Sequence, residues 1–206
     1  MKASLFSLLL LIAAALSASP LSTVKSDISL FEALQKRQTR REFRNQPLDS
    51  ALISQLLWAG NGVNRPESGK RTSPAALGRH AITLYVMNAD GIWKYDERTG
   101  ALALASSSNL LAAAEGRGTM AVASGNAILL VADYSVFKDF PQEAALSMVG
   151  VEAGAVCQNI YLACAALNLN AVCCGSLNQD AIRQALALPQ PQVPLLTMVV
   201  GYPPEK

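Results

Sequence analysis

No charged side chain falls between Glu152 and Asp180, and this stretch more than any other limits how the chain can fold. So long a run without charge must lie largely out of water. Residues 142–168 read as one long helix that is apolar nearly all round, with Gly150, Ala153, Gly154, Ala155, Ala163 and Ala165 along it. A membrane span is disfavoured, because Gln158, Asn159, Asn168 and Asn170 interrupt the run. The expectation is a buried central helix whose small residues suit close packing, including against a second copy of the chain.

The elements around it follow from local signals. Asp49 caps a helix whose apolar face is Leu52, Ile53, Leu56 and Leu57, stopped by Gly60-Asn61-Gly62. Residues 63–80 are polar and rich in Gly and Pro, so they read as a loop. Ala81 to Met87 reads as a strand, and Ile92–Tyr95 with Ala101–Leu104 as a hairpin around Glu97–Gly100. A short helix over Asn109–Glu115, a buried strand over Ala127–Ala132 and a strand over Ala171–Cys174 follow, the last broken by Gly175. Asn178 caps a helix to Ala187, and Pro194 to Tyr202 is a closing strand. Helices and strands mix without regular βαβ alternation, which predicts an α+β domain with no repeat.

The first residues have a different character. Met1 to Pro20 carries one charge, Lys2, then an apolar core over Leu5–Leu16 and a run of small residues. That is the pattern of a secretory signal peptide, with cleavage after Ser17 or Ser19. The core is too short to span a bilayer comfortably. The reading is therefore a signal peptide over residues 1–19, a single domain over 20–206, and export to the periplasm. Without Lys2 the chain holds 16 basic and 15 acidic residues, a net charge of +1. That excludes general nucleic-acid binding, which needs a basic excess.

Four cysteines, Cys157, Cys164, Cys173 and Cys174, allow three pairings, and no spacing among them marks a structural staple. They read as small buried thiols, with an exchange of electrons through the adjacent Cys173-Cys174 as the sharper alternative. Metal binding has no ligand set, since His80 is the one histidine. Against this near-neutral background, Lys36-Arg37-Gln38-Thr39-Arg40-Arg41 concentrates four cations in six residues and is closed by Glu42-Phe43. In a nearly neutral chain such a local cluster points to a small anion such as a phosphate.

Arg37-Gln38-Thr39-Arg40-Arg41-Glu42-Phe43 resembles the opening motif of the nitroreductase family, in which Arg37, Thr39, Arg41 and Phe43 hold the fitting positions. Leu57-Trp58-Ala59-Gly60-Asn61-Gly62-Val63-Asn64-Arg65-Pro66 and Gly69-Lys70-Arg71-Thr72-Ser73-Pro74-Ala75-Ala76 resemble its subgroup containing the peptide thiazole/oxazole dehydrogenases. Ala153 to Leu162 resembles the family's central helix, and Val200-Gly201-Tyr202-Pro203 its closing strand. The resemblance runs in consistent order over roughly residues 30–206.

The resemblance implies a mostly antiparallel central sheet flanked by helices, a homodimer, and FMN held at the subunit interface. Arg37 and Arg41 would grip the phosphate, and Gln38 and Thr39 would hydrogen-bond phosphate or ribityl oxygens. Lys206 matches a late basic residue that also meets phosphate. Pro74, Ala75, Ala76 and Gly78 would belong to the loop covering the flavin from the other subunit, with Gly78 where relatives commonly carry Asn. Cys173, Cys174 and Gly175 would form the strand end whose backbone N–H meets the flavin edge. Arg117 would stand near the pyrimidine edge. Implied activity is a ping-pong oxidoreductase passing hydride or electrons through flavin N5 to a small acceptor, with NAD(P)H as candidate donor. The alternative is an exported binding module of the same fold with an eroded or empty flavin site.

Overall fold

The computed structural model describes residues 26–116 and 118–205. The stretch read as a signal peptide, Arg117 and Lys206 lie outside them. The chain opens with α1 (Leu30–Lys36), capped by the Ser29 hydroxyl, and α2 (Ser50–Asn61), capped by Asp49, whose Oδ1 accepts the Leu52 N–H at 2.8 Å. A small ribbon, β1 (Val63–Arg65) and β2 (Lys70–Arg71), follows. Then come β3 (Ile82–Asn88), β4 (Gly91–Tyr95), β5 (Leu102–Ser106), α3 (Met120–Ser124) and β6 (Ala127–Asp133). The chain closes with α4 (Gln142–Ala166), β7 (Asn170–Cys174), α5 (Gln179–Leu186) and β8 (Gln192–Gly201).

Six strands form one sheet in the order β5-β4-β3-β6-β8-β7, every neighbouring pair antiparallel. The fold is therefore α+β, with helices on both faces. Alternation along the central strands feeds two cores. Ile82, Leu84 and Val86 of β3 and Ile128 and Leu130 of β6 pack with α2 and α4. Tyr85 and Met87, with Ala127, Leu129 and Val131, pack on the other face with α3, α5 and the segment around Leu111. Near-continuous apolar runs in β3 and β6 thus reflect burial on both faces.

One element is added and two expectations change. The residues before Arg37, to which the sequence assigned no element, form a helix, α1, held against α4. The polar stretch 63–80 is not irregular throughout. It carries the β1–β2 ribbon, with Arg71 paired to Glu97 at 3.2 Å, and a 3₁₀ turn at Ala76–Gly78. Asn109–Glu115 holds only a 3₁₀ turn at Leu111–Ala113.

Within one chain the long helix α4 is also not buried all round. Ala145, Val149, Glu152, Ala153, Val156, Cys157, Ile160 and Cys164 face the core. Leu146, Ser147, Gly150, Val151, Gly154 and Gln158 face outward, and space beside Gly150 and Gly154 is open. Among the described residues α4 is the one helix long and apolar enough to cross a membrane. Its Glu152 is buried against the start of β3. One carboxylate oxygen accepts the Ala81 N–H at 2.8 Å, and the other lies 3.0 Å from His80 Nδ1. A buried carboxylate with both oxygens partnered fixes the start of β3 on α4.

Candidate functional site

Past α1 the chain crosses the free edge of the sheet. Strand β7 is an edge strand, so alternate backbone groups point away from β8. The chain crossing it uses them. Arg40 N–H donates to the Ala171 carbonyl at 2.9 Å, and Asn170 Nδ2 donates to the Glu42 carbonyl at 2.7 Å. Further on, Arg44 N–H donates to the Tyr202 carbonyl at 3.0 Å. Phe43 packs into the second core, close to Gly201, where a Cβ would stand 3.1 Å from its ring. The basic segment is therefore an extended strap bolted to β7 and to the end of β8.

Between this strap and α4 lies a cavity of about 890 Å³. Its walls are residues 35–42, Tyr161, Cys164, Asn168, Asn170 and the Pro203-Pro204 segment, among others. Arg37, Gln38, Thr39 and Arg41 all line it, and so do Lys36 and Arg40. The cations differ in what they already hold. Lys36 Nζ is 2.8 Å from Glu32, one turn back on α1. Arg44 is half-buried, with its guanidinium stacked over Tyr202 and 3.5 Å from Glu205. Arg37, Arg40 and Arg41 make no ion pair among the described residues. Three unneutralised guanidinia around one cavity are suited to an anion with several oxygens.

Tyr161 organises this wall, and nothing in the sequence marks it out within the Ala153–Leu162 stretch. Its ring carries the Arg37 guanidinium at 5.5 Å from the centroid. Its hydroxyl shares a hydrogen bond with Thr39 Oγ1 at 3.2 Å and accepts the Cys173 N–H at 2.8 Å. One phenol on α4 thus ties the strap to the strand end. Cys173 N–H is thereby engaged, and by strand alternation the next outward N–H belongs to exposed Gly175.

Cys174 faces the second core and does not line the cavity. Burial pushes its thiol up to about 11, helped by the Glu115 carboxylate, while the Arg41 guanidinium pulls the other way. Pro74, Ala75, Ala76 and Gly78 do not line the cavity, and neither do Cys173 and Gly175. The Pro74–Gly78 loop is held by buried Asn61, which donates to the Ile82 carbonyl at 2.9 Å and accepts the Ser73 hydroxyl at 2.6 Å. From that anchor it projects outward, with Pro74, Leu77 and Gly78 exposed and Gly78 at φ +70°. Leu77 itself holds a left-handed backbone at φ +55°, uncommon for a non-glycine residue.

The sequence profile of the Nitroreductase family matches residues 34–202. A protein of Methanocaldococcus jannaschii with a provisional nitroreductase name is 30% identical over 193 residues, covering 85% of this chain and 91% of its own. A provisionally named nitroreductase from Ralstonia eutropha, known from its crystal structure, is 30% identical with a TM-score of 0.79, covering 87% of this chain and 85% of that one. Two more distant structures share the fold. One is an FMN complex of a Desulfovibrio desulfuricans protein, 24% identical with a TM-score of 0.61, covering 87% of this chain and 88% of that one. The other belongs to the Escherichia coli microcin synthetase complex with a truncated microcin precursor bound, 16% identical with a TM-score of 0.70, covering 87% of this chain and 74% of that one.

Proposed function

Given that the chain belongs to the nitroreductase family and is an oxidoreductase of that fold, we propose that it binds FMN through the basic strap and works as a flavin-dependent oxidoreductase on a small acceptor. The observation that carries the reading is the trio Arg37, Arg40 and Arg41, unpaired around one cavity with the Thr39 hydroxyl beside them. That donor set fits a phosphate monoester, whose charge and acceptor oxygens match guanidinium forks and a hydroxyl. When bound, FMN would supply the hydride-accepting chemistry.

The chain's own residues bind and orient. Arg37 is held in place by stacking on Tyr161, so its fork loses less freedom on meeting an anion. Thr39 is fixed by the same phenol. Gly175, at the outer edge beyond Cys173, offers a backbone donor that does not depend on which side chains flank it. A second copy of the chain completes the reading. The Pro74–Gly78 loop projects away from its own cavity, and the outer face of α4 presents Leu146, Val151 and two glycines to an unfilled space. A homodimer packed along α4 would cover that apolar strip and bring the loop of one copy toward the site of the other.

An absorbance spectrum of the purified protein, before and after adding FMN, tests the assignment. Uptake of flavin with bands that bleach on reduction is expected. Absence of both bands and uptake would favour the alternative, a binding module of this fold.

A further inference from the structure

Cys157 and Cys173 face each other where α4 packs on β7, their Sγ atoms 3.8 Å apart. Nothing in their spacing announces this, and it displaces the adjacent pair Cys173-Cys174 from consideration. Strand alternation sends Cys173 toward the α4 core and Cys174 to the opposite core. The two partners are unequal. Cys157 is buried, whereas Cys173 is partly exposed. The hydrogen bond between them favours a thiolate on Cys173 and holds Cys157 protonated. Their backbones are also kept in register: Tyr161, one turn beyond Cys157, accepts the Cys173 N–H.

We propose that Cys157 and Cys173 form a redox-active dithiol that reacts with low-molecular-weight disulfides and closes to a bond joining α4 to β7 beneath the strap. The Cys173 thiolate attacks one sulfur of oxidised glutathione. The glutathione S–S bond breaks, one glutathione leaves as thiolate, and a mixed disulfide forms on Cys173. Cys157 then gives its proton to the departed glutathione thiolate and attacks the Cys173 sulfur, and the second glutathione leaves as a thiolate that takes from solvent the proton Cys173 released on ionising. Two protein thiols lose two electrons in total, and one glutathione disulfide becomes two glutathione thiols. The sulfurs must close from 3.8 Å to about 2.05 Å, a small movement of one helix against an edge strand. The inference rests on the thiols alone and holds whether or not flavin is bound.

The full-length protein, treated with oxidised glutathione, is denatured, alkylated and mapped by peptide mass without reductant. Free thiols should fall from the four in the chain to two, with one linked peptide pair carrying Cys157 and Cys173, and dithiothreitol should restore all four. Cys157→Ser should trap one glutathione on Cys173, and Cys157→Ala serves the same purpose if the serine variant does not fold. Four surviving thiols, a Cys173–Cys174 linkage, or modification of Cys174 as fast as Cys173 would each overturn the proposal.

Discussion

Lys36 and Arg37 are chain neighbours with opposite circumstances. The lysine is already answered by Glu32, whereas the arginine lies on Tyr161 without a carboxylate. Replacing Arg37 or Arg41 with Ala should weaken FMN binding by about 1.5–3 kcal/mol, roughly tenfold or more. Replacing Lys36 should change it by about twofold at most. Titrating flavin fluorescence against each variant reads this directly, and equal losses at all three positions would undo the assignment. Tyr161→Phe keeps the ring under Arg37 but strands the Cys173 N–H and frees Thr39. It should cost about 1 kcal/mol in urea unfolding and weaken FMN severalfold.

At the scale of elements, α4 carries two incompatible-looking faces. Its inward face closes on α2 so tightly that a Cβ on Gly60 would stand 3.0 Å from Ile160. Its outward face has Val151 at 68% exposure and no neighbour beside Gly150 or Gly154. In the proposed homodimer this exposed apolar strip is the surface the second copy would cover. Val151→Glu should therefore yield a monomer by sedimentation while the circular dichroism spectrum stays unchanged. A dimer that survives this substitution would show that the subunits associate elsewhere.

For the whole molecule, acid is the informative perturbation. Asp96 is held below the usual carboxylate range by the Thr99 N–H, and Asp139 by its hydrogen bond from Arg79. Asp133 is lowered too: burial opposes ionisation, but hydrogen bonds from Ser135 and Gln192 outweigh it. A carboxylate with a depressed folded value stabilises fully above its unfolded value and loses that contribution as pH falls through the folded one. The urea midpoint should thus hold down to about pH 5 and fall between about pH 4 and 2. Asp96→Asn should flatten part of that fall, since Asp96 Oδ1 accepts both the Arg98 and Thr99 N–H groups at the β4–β5 turn.

The sequence by itself determined the α+β class, the strands of the six-stranded sheet, the cap at Asp49 and the basic cluster, because each depends on periodicity, a short-range hydrogen bond or a run of charge. It also carried the family, through motifs spread in order along the chain. Only the tertiary structure decided which cations stay free. Lys36 finds Glu32 and Arg44 finds Tyr202 and Glu205 through folding, and a charge run does not show which of its members will be neutralised. Tyr161 was indistinguishable in sequence from other half-buried aromatics until β7 and the strap met on its hydroxyl. The pairing of Cys157 with Cys173 likewise arises from a helix laid against an edge strand. A run of residues fixes which faces are apolar, whereas the meeting of two side chains from different elements depends on how those faces are stacked.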